Sequence, residues 1–171
     1  MTDPRIAGAY WAAPRLLAGP LPAAPDREGL RASVRALFDA GVRTVIDLRT
    51  AAEPPGIRTL LEKLARDDEP AAWTSFPILD GAAPAPALLE LILDTIDAQI
   101  ARGRGVYVHC AGGRGRTGTV IACWWIRHGH FEPEQALEEL TRRRRDLPSG
   151  HLPSPETSAQ LRLVRAWRRG R

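Results

Sequence analysis

Cysteine is scarce in this chain of 171 residues: there are two, Cys110 and Cys123. Two thiols cannot build a disulfide framework, nor a four-ligand zinc site by themselves. Lysine is scarcer still, with Lys63 alone, so the formal charge of +4 rests on arginine. That balance suits anionic ligands in general, phosphate esters included, without choosing among them. No apolar run reaches the length that spans a bilayer, so no inserted membrane segment is expected. The first twenty residues lack a charged region followed by an apolar core, so no secretory signal is expected there. Internal repeats and linker-like stretches are missing too. The expectation is one domain over residues 1–171, with residues 1–14 as a loosely ordered lead. A reducing, cytoplasmic setting would keep both thiols free.

What is present alternates between two periodicities. After the Pro- and Ala-rich lead, "DREGLRASVRALFDAG" (26–41) sets Leu30, Val34, Leu37 and Phe38 on one helical face, with Gly41 where a C-terminal cap belongs. "VRTVIDLR" (42–49) predicts a short β-branched strand. "GIRTLLEKLARDD" (56–68) predicts a second helix and "AAWTSFPIL" (71–79) a second strand. The loop "DGAAPAP" (80–86) leads into "ALLELILDTIDAQI" (87–100), where Leu88, Leu91, Ile92, Thr95, Ile96 and Ile100 recur at helical spacing. "GVYVH" (105–109) is a third strand. "RTGTVIACWWIRHG" (116–129) is apolar nearly all round, which predicts a buried helix closed by Gly129.

Two more helices, "EPEQALEELTRRRR" (132–145) and "SPETSAQLRLVRAW" (154–167), finish the chain. Pro133 and Pro155 suit their first turns, and Ser154 suits an N-cap. The alternation predicts an α/β fold: a three-layer sandwich around a central, largely parallel sheet of four to five strands. Ligands of such sheets bind beyond the carboxyl ends of the strands.

At one such end lies "VHCAGGRGRTGT" (108–119). Gly112, Gly113, Gly115 and Gly118 allow backbone conformations that turn successive N–H groups inward around an anion. The turn feeds a helix N-terminus, whose unpaired N–H groups and dipole favour negative charge, a phosphate or a thiolate alike. Cys110 stands at the mouth of this cradle as a nucleophile. Arg116 can grip two phosphoryl oxygens with its planar fork, and Thr117 can offer its hydroxyl to the cysteine sulfur. His109 is expected to fix the loop by hydrogen bonding rather than to transfer protons.

His109-Cys110, five residues, then Arg116-Thr117-Gly118 resemble the H-C-x5-R-[ST] signature of the cysteine-dependent protein tyrosine phosphatases. "HCAGGRGRTGT" is most similar to their compact dual-specificity branch, and the similarity runs from "RLLAGP" through "VIDLR" and "FPILDG" to "SPETSAQ". The resemblance implies a protein tyrosine phosphatase-like fold and phosphate-ester hydrolysis through a phosphocysteine, with no cofactor and no metal. It implies that Cys110, Arg116, Thr117 and Asp80 are catalytic. Asp80 would be the general acid, with Asp47 as its rival, although no tryptophan-proline pair precedes Asp80. His109, Ala111, Gly112, Gly113, Arg114 and Gly115 would line the substrate, and Thr157 or Gln160 would stand near the hydrolytic water. Asp47, Arg49 and Glu53 would brace loops or Arg116 by ion pairs.

The expected partners are a phosphorylated protein or a small phosphomonoester, with phosphate and vanadate as binding oxyanions. No nucleic acid is expected, and the chain is expected to act as a monomer. A phosphoinositide remains an alternative substrate, and rhodanese-like sulfur transfer or a non-catalytic phospho-ligand module an alternative function. Arg114 would either meet a second negative group on the substrate or face solvent. Cys123 and the tryptophans Trp73, Trp124, Trp125 and Trp167 are expected to pack in the core. A disulfide between Cys123 and Cys110 is the rival reading. Arg142 to Arg145 would form a solvated helix end. Gly113-x-Gly115-x-x-Gly118 matches a dinucleotide fingerprint, but no βαβ unit follows it, and there is no G-K-[ST] for a Walker loop.

Overall fold

The computed structural model describes residues 6–54, 56–64 and 71–171. In chain order the elements are β1 (Tyr10–Ala13), β2 (Leu16–Pro20), α1 (Arg27–Asp39), β3 (Val42–Asp47), α2 (Arg58–Leu64) and β4 (Ala72–Ser75). Then come α3 (Pro86–Ala101), β5 (Gly105–Cys110), α4 (Gly115–Arg127), α5 (Pro133–Arg144) and α6 (Ser158–Ala166). One five-stranded sheet has the order β1-β2-β5-β3-β4, parallel throughout except for the antiparallel β1–β2 pair. β5 therefore lies in the middle, between β2 and β3.

The two-residue period of the strands builds the layers. Val106, Val108 and Cys110 of β5 join Leu16, Ala18 and Ile46 on one face, under the apolar sides of α3, α4, α5 and α6. Tyr107, Leu17 and Val45 point the other way, toward Val34 and Leu37 of α1 and Leu61 of α2. The three-layer sandwich with a largely parallel sheet is the architecture read from the sequence. α1 starts where Asp26 accepts a hydrogen bond from Gly29 N at 2.7 Å, and ends before Gly41, whose φ is +82°. α4 is buried from Gly115 to Ile126, which is why its sequence has no polar face. Gly129, with φ +68°, follows it.

Several expectations need correction. Residues 10–13 and 16–20 of the lead form the β1–β2 hairpin, with Ile6, Ala9 and Tyr10 buried, while residues 1–5 lie outside the described residues. Ala and Pro hide these strands because both are depleted in strands generally. The second helix is described only to Leu64, and residues 65–68 of its expected span lie outside the described residues. Residues 76–79 leave the sheet after β4. In α3 the buried stripe is Leu89, Ile92, Leu93 and Ile96, and Leu91 is 53% exposed. Both stripes fit helical spacing; the direction of the sheet chose between them.

α6 begins four residues later than Ser154, because Thr157 and Gln160 form its capping box. Pro155 thus precedes the helix. Arg144 is no solvated helix end: at 2% exposure it donates to Leu152 O (3.1 Å), Ser149 O (3.0 Å) and Ser149 Oγ (3.1 Å), organising the turn after α5. Arg142 and Arg143 reach back to Glu139. Cys123 is buried and free, as is Cys110. Trp124, Trp125 and Trp167 are core residues, and half-buried Trp73 lies under the Arg58 guanidinium. No described helix is long and apolar enough to cross a membrane.

Candidate active site

Cys110 ends the central strand β5 and Gly115 opens α4, so residues 111–114 make a four-residue turn at the carboxyl end of the sheet. Neighbouring strands pin it: Leu21 N donates to Ala111 O (3.0 Å) and Leu48 N to His109 O (2.9 Å). Gly113 has φ +65°, and a Cβ there would collide with the backbone of Gly19 and Pro20. Both the left-handed conformation and the close approach require glycine. Gly112 faces open space and Ala111 is exposed. Gly118 N donates to Arg114 O at 2.9 Å, so the amides of residues 115–117 precede the first intrahelical bond of α4. Cys110 itself is 3% exposed.

The Arg116 side chain, 1% exposed, is held from three directions. Glu53 takes it in a fork, Nη1–Oε1 at 2.6 Å and Nη2–Oε2 at 2.9 Å, and Nη1 also donates to Ile78 O at 3.0 Å. Asp80 Oδ1 lies 2.8 Å from Nη2 while its side chain stays 76% exposed. Burial alone would lower the guanidinium's pKa, but the Glu53 hydrogen bonds and the charges of Cys110, Glu53 and Asp80 raise it above its ordinary value. The Glu53 carboxyl falls in turn to about 2, chiefly through its hydrogen bond to Arg116. Arg116 Nε and Thr117 Oγ1 are buried with no hydrogen-bond partner among the described residues. The Thr117 hydroxyl therefore makes no bond to Cys110 here.

His109 is fully buried beside the Tyr107 ring, and its Nδ1–H donates to Cys110 O at 3.2 Å. Burial holds its pKa below the ordinary histidine value, with Asp47 opposing from 3.9 Å. A neutral imidazole is thus a fixture of the turn. Asp47 is 4% exposed and receives Arg49 N (2.9 Å), Nε (3.0 Å) and Nη2 (2.8 Å). Of the two aspartates weighed as acid, Asp80 stands open beside Arg116, and Asp47 is closed into the Arg49 pair.

The segment before α6 grips both loops of the site. Thr157 Oγ1 donates to Gly81 O (2.9 Å) and Gln160 Nε2 to Ala82 O (3.0 Å), tying α6 to the loop that carries Asp80. Gln160 Oε1 meanwhile accepts from Glu156 N (2.9 Å) and Thr157 N (3.2 Å), and the residue is fully buried. On the other side, Ser154 Oγ donates to Arg114 O (2.9 Å), and the Arg114 side chain pairs with Glu156. Arg114, read from the sequence as meeting a second negative group on the substrate or facing solvent, is thus half-buried and paired within the chain. Ser154, read from the sequence only as an N-cap, and Glu156 and the Ile78 carbonyl were not foreseen as parts of the site. Glu156 alone carried a signal, as the one acid in "SPETSAQ".

A family model described as "Polymorphic toxin system, DSP-PTPase phosphatase" matches residues 24–130, which hold Asp47, Glu53, Asp80, Cys110 and Arg116. Among curated proteins, Uncharacterized protein MJECL20 of Methanocaldococcus jannaschii is 41% identical over 63 residues, 37% of this chain and 43% of that protein. Tyrosine-protein phosphatase cdc-14 of Caenorhabditis elegans is 41% identical over 49 residues, 29% of this chain and 6% of that one. The chain thus spans about two fifths of the first of these relatives and a small part of the second. Among solved structures, the active form of Tk-PTP superposes with a TM-score of 0.71 at 26% identity, covering 92% of this chain and 93% of that one.

Proposed function

Because the chain belongs to the DSP-PTPase phosphatase family of polymorphic toxin systems, we propose that it hydrolyses phosphomonoesters through a phosphocysteine. The substrate is phosphotyrosine or another phosphorylated side chain of a protein. One observation carries this reading: Arg116 Nε and Thr117 Oγ1 are buried without partners among the described residues, in the first turn of α4, directly after the loop that follows Cys110. Buried polar atoms are ordinarily satisfied, so two unpaired donors at an anion-favouring helix end are suited to binding an oxyanion.

In the proposed reaction the phosphate sits on the amides of residues 111–116. Cys110 Sγ attacks phosphorus in line with the ester oxygen, forming the S–P bond as the P–O bond breaks. Arg116 offers Nε, and Nη2 once Asp80 gives up its 2.8 Å contact there, to two equatorial oxygens, which concentrates positive charge where negative charge spreads in the transition state. Glu53 and Ile78 O keep that fork aimed by holding Nη1. Asp80 gives its proton to the departing oxygen, then takes one from the water that attacks phosphorus. Thr117 donates to the sulfur as the S–P bond breaks. The positive charge comes from arginine and backbone dipoles, so the step calls for neither metal nor cofactor.

The chain would act as a monomer in the cytoplasm, where a reducing medium keeps Cys110 a thiol. Family membership weighs against sulfur transfer, and the presence of nucleophile, arginine and acid weighs against a silent binding module. The test is hydrolysis of para-nitrophenyl phosphate by wild type and Cys110→Ser in metal-free buffer. Turnover lost in the variant, which still binds phosphate, supports the reading. Equal turnover, or none in the reduced wild type, overturns it.

A further inference from the structure

The Arg114 guanidinium is the second cation on the rim of the phosphate turn, and it is already engaged. Its Nη2 pairs with Glu156 Oε1, while Ser154 Oγ fixes its backbone carbonyl at 2.9 Å. Glu156 is fixed in turn, its N–H donating to Gln160 Oε1 at 2.9 Å. Its other oxygen leans over α4: a Cβ built on Gly115 would stand 2.8 Å from Glu156 Oε2. A carboxylate thus occupies the rim beside the first amides of α4, held by the arginine that a neighbouring phosphate would use. The Arg114 side chain is 20% exposed and that of Glu156 36%, so the pair is open to ligand while partly shielded from solvent.

We propose that Glu156 acts as an internal counter-anion that sets substrate charge. It keeps Arg114 from serving as a second phosphate subsite and repels any anion placed next to the reacting phosphate. The preferred substrate class is then an isolated phosphomonoester with no second phosphate on an adjoining atom, as on a protein side chain. Phosphate esters with vicinal phosphates are disfavoured. This inference rests on the phosphatase reading above. The physical basis is like-charge repulsion across a few ångströms at a rim of intermediate dielectric, which salt weakens.

Two probes separate the inference from the reading beneath it. In the Cys110→Ser background, the binding of inorganic phosphate and of pyrophosphate is measured by calorimetry at low ionic strength. Glu156→Gln keeps the size and removes the charge, so the affinity ratio of pyrophosphate to phosphate rises about tenfold. Arg114→Gln leaves the Glu156 charge uncompensated, and the ratio falls below that of the parent. Joining the two substitutions cancels the gain, because the fork that would take the second phosphate is gone. With Cys110 intact, Glu156→Gln raises kcat/KM for a vicinal inositol bisphosphate relative to an aryl phosphate by a similar factor. A ratio unmoved by both single variants overturns the inference and leaves the phosphatase reading standing. Failure of the Cys110→Ser protein to bind either anion overturns both.

Discussion

Glu53 and Arg116, 63 residues apart, meet in a two-pronged ion pair whose guanidinium is 1% exposed. The pair aims the arginine across the phosphate turn, and it draws the Glu53 carboxyl down to about 2. A folded-state pKa below the unfolded value of 4.5 means stability that is present above that value. It is lost as pH falls from there through about 2. Glu53→Gln removes this linkage, so the fall in denaturation midpoint on acidification between those values becomes shallower. Arg116 then loses one anchor, and kcat/KM drops on the order of tenfold, read with an aryl phosphate near neutral pH.

Asp80 and Asp47 differ in accessibility, and leaving-group dependence separates them. Asp80→Ala slows alkyl phosphates by roughly 10²–10⁴-fold, the usual worth of a general acid, while para-nitrophenyl phosphate, whose oxygen departs without help, is affected much less. Asp47→Ala strips the partner from buried Arg49 and costs about 3–5 kcal/mol of stability, read as a lower urea midpoint. If Asp47→Ala gives the leaving-group pattern instead, the acid is Asp47.

His109 is buried and neutral, with its pKa held below the ordinary 6.5. Because the unfolded chain takes up the proton first, stability is full above that value and declines as pH falls from it toward the lower folded pKa. His109→Asn flattens this decline, measured as urea midpoints between about pH 7 and pH 5. An identical slope in both proteins would assign the acid sensitivity to other groups.

Vanadate, which adopts the geometry of a phosphoryl group in transfer, inhibits competitively with the aryl phosphate, whereas chelators leave the rate unchanged. Charge stabilisation by Arg116 and the loop amides requires no ion. A rate that chelation abolishes and a divalent metal restores contradicts the mechanism.

Local order was legible where one stretch of chain contains its own cause. The nucleophile, the glycine turn and the helix N-terminus fall within a dozen residues, and the amphipathic face of α1 carries its own cap. The β1–β2 hairpin was not, since β2 is held by pairing with β5, ninety residues on, and the edge strand β1 is held by pairing with β2. Leu91 was misplaced for a related reason: a helix's period permits neighbouring stripes, and only the sheet beneath it selects one.

By itself, the sequence determined the alternation of strand and helix and the contiguous cradle from His109 to Thr117, because these arise from periodicity and from residues adjacent along the chain. Tertiary structure alone decided which distant carboxylate meets which arginine. The parallel order β5-β3-β4 brings the ends of three strands together, and the segments leaving β3 and β4 deliver Glu53 and Asp80 to Arg116, which follows β5. The turn after α5 then carries Glu156 back 42 residues to Arg114. Ion pairs recognise position in space, and charge at a sequence position does not encode its partner.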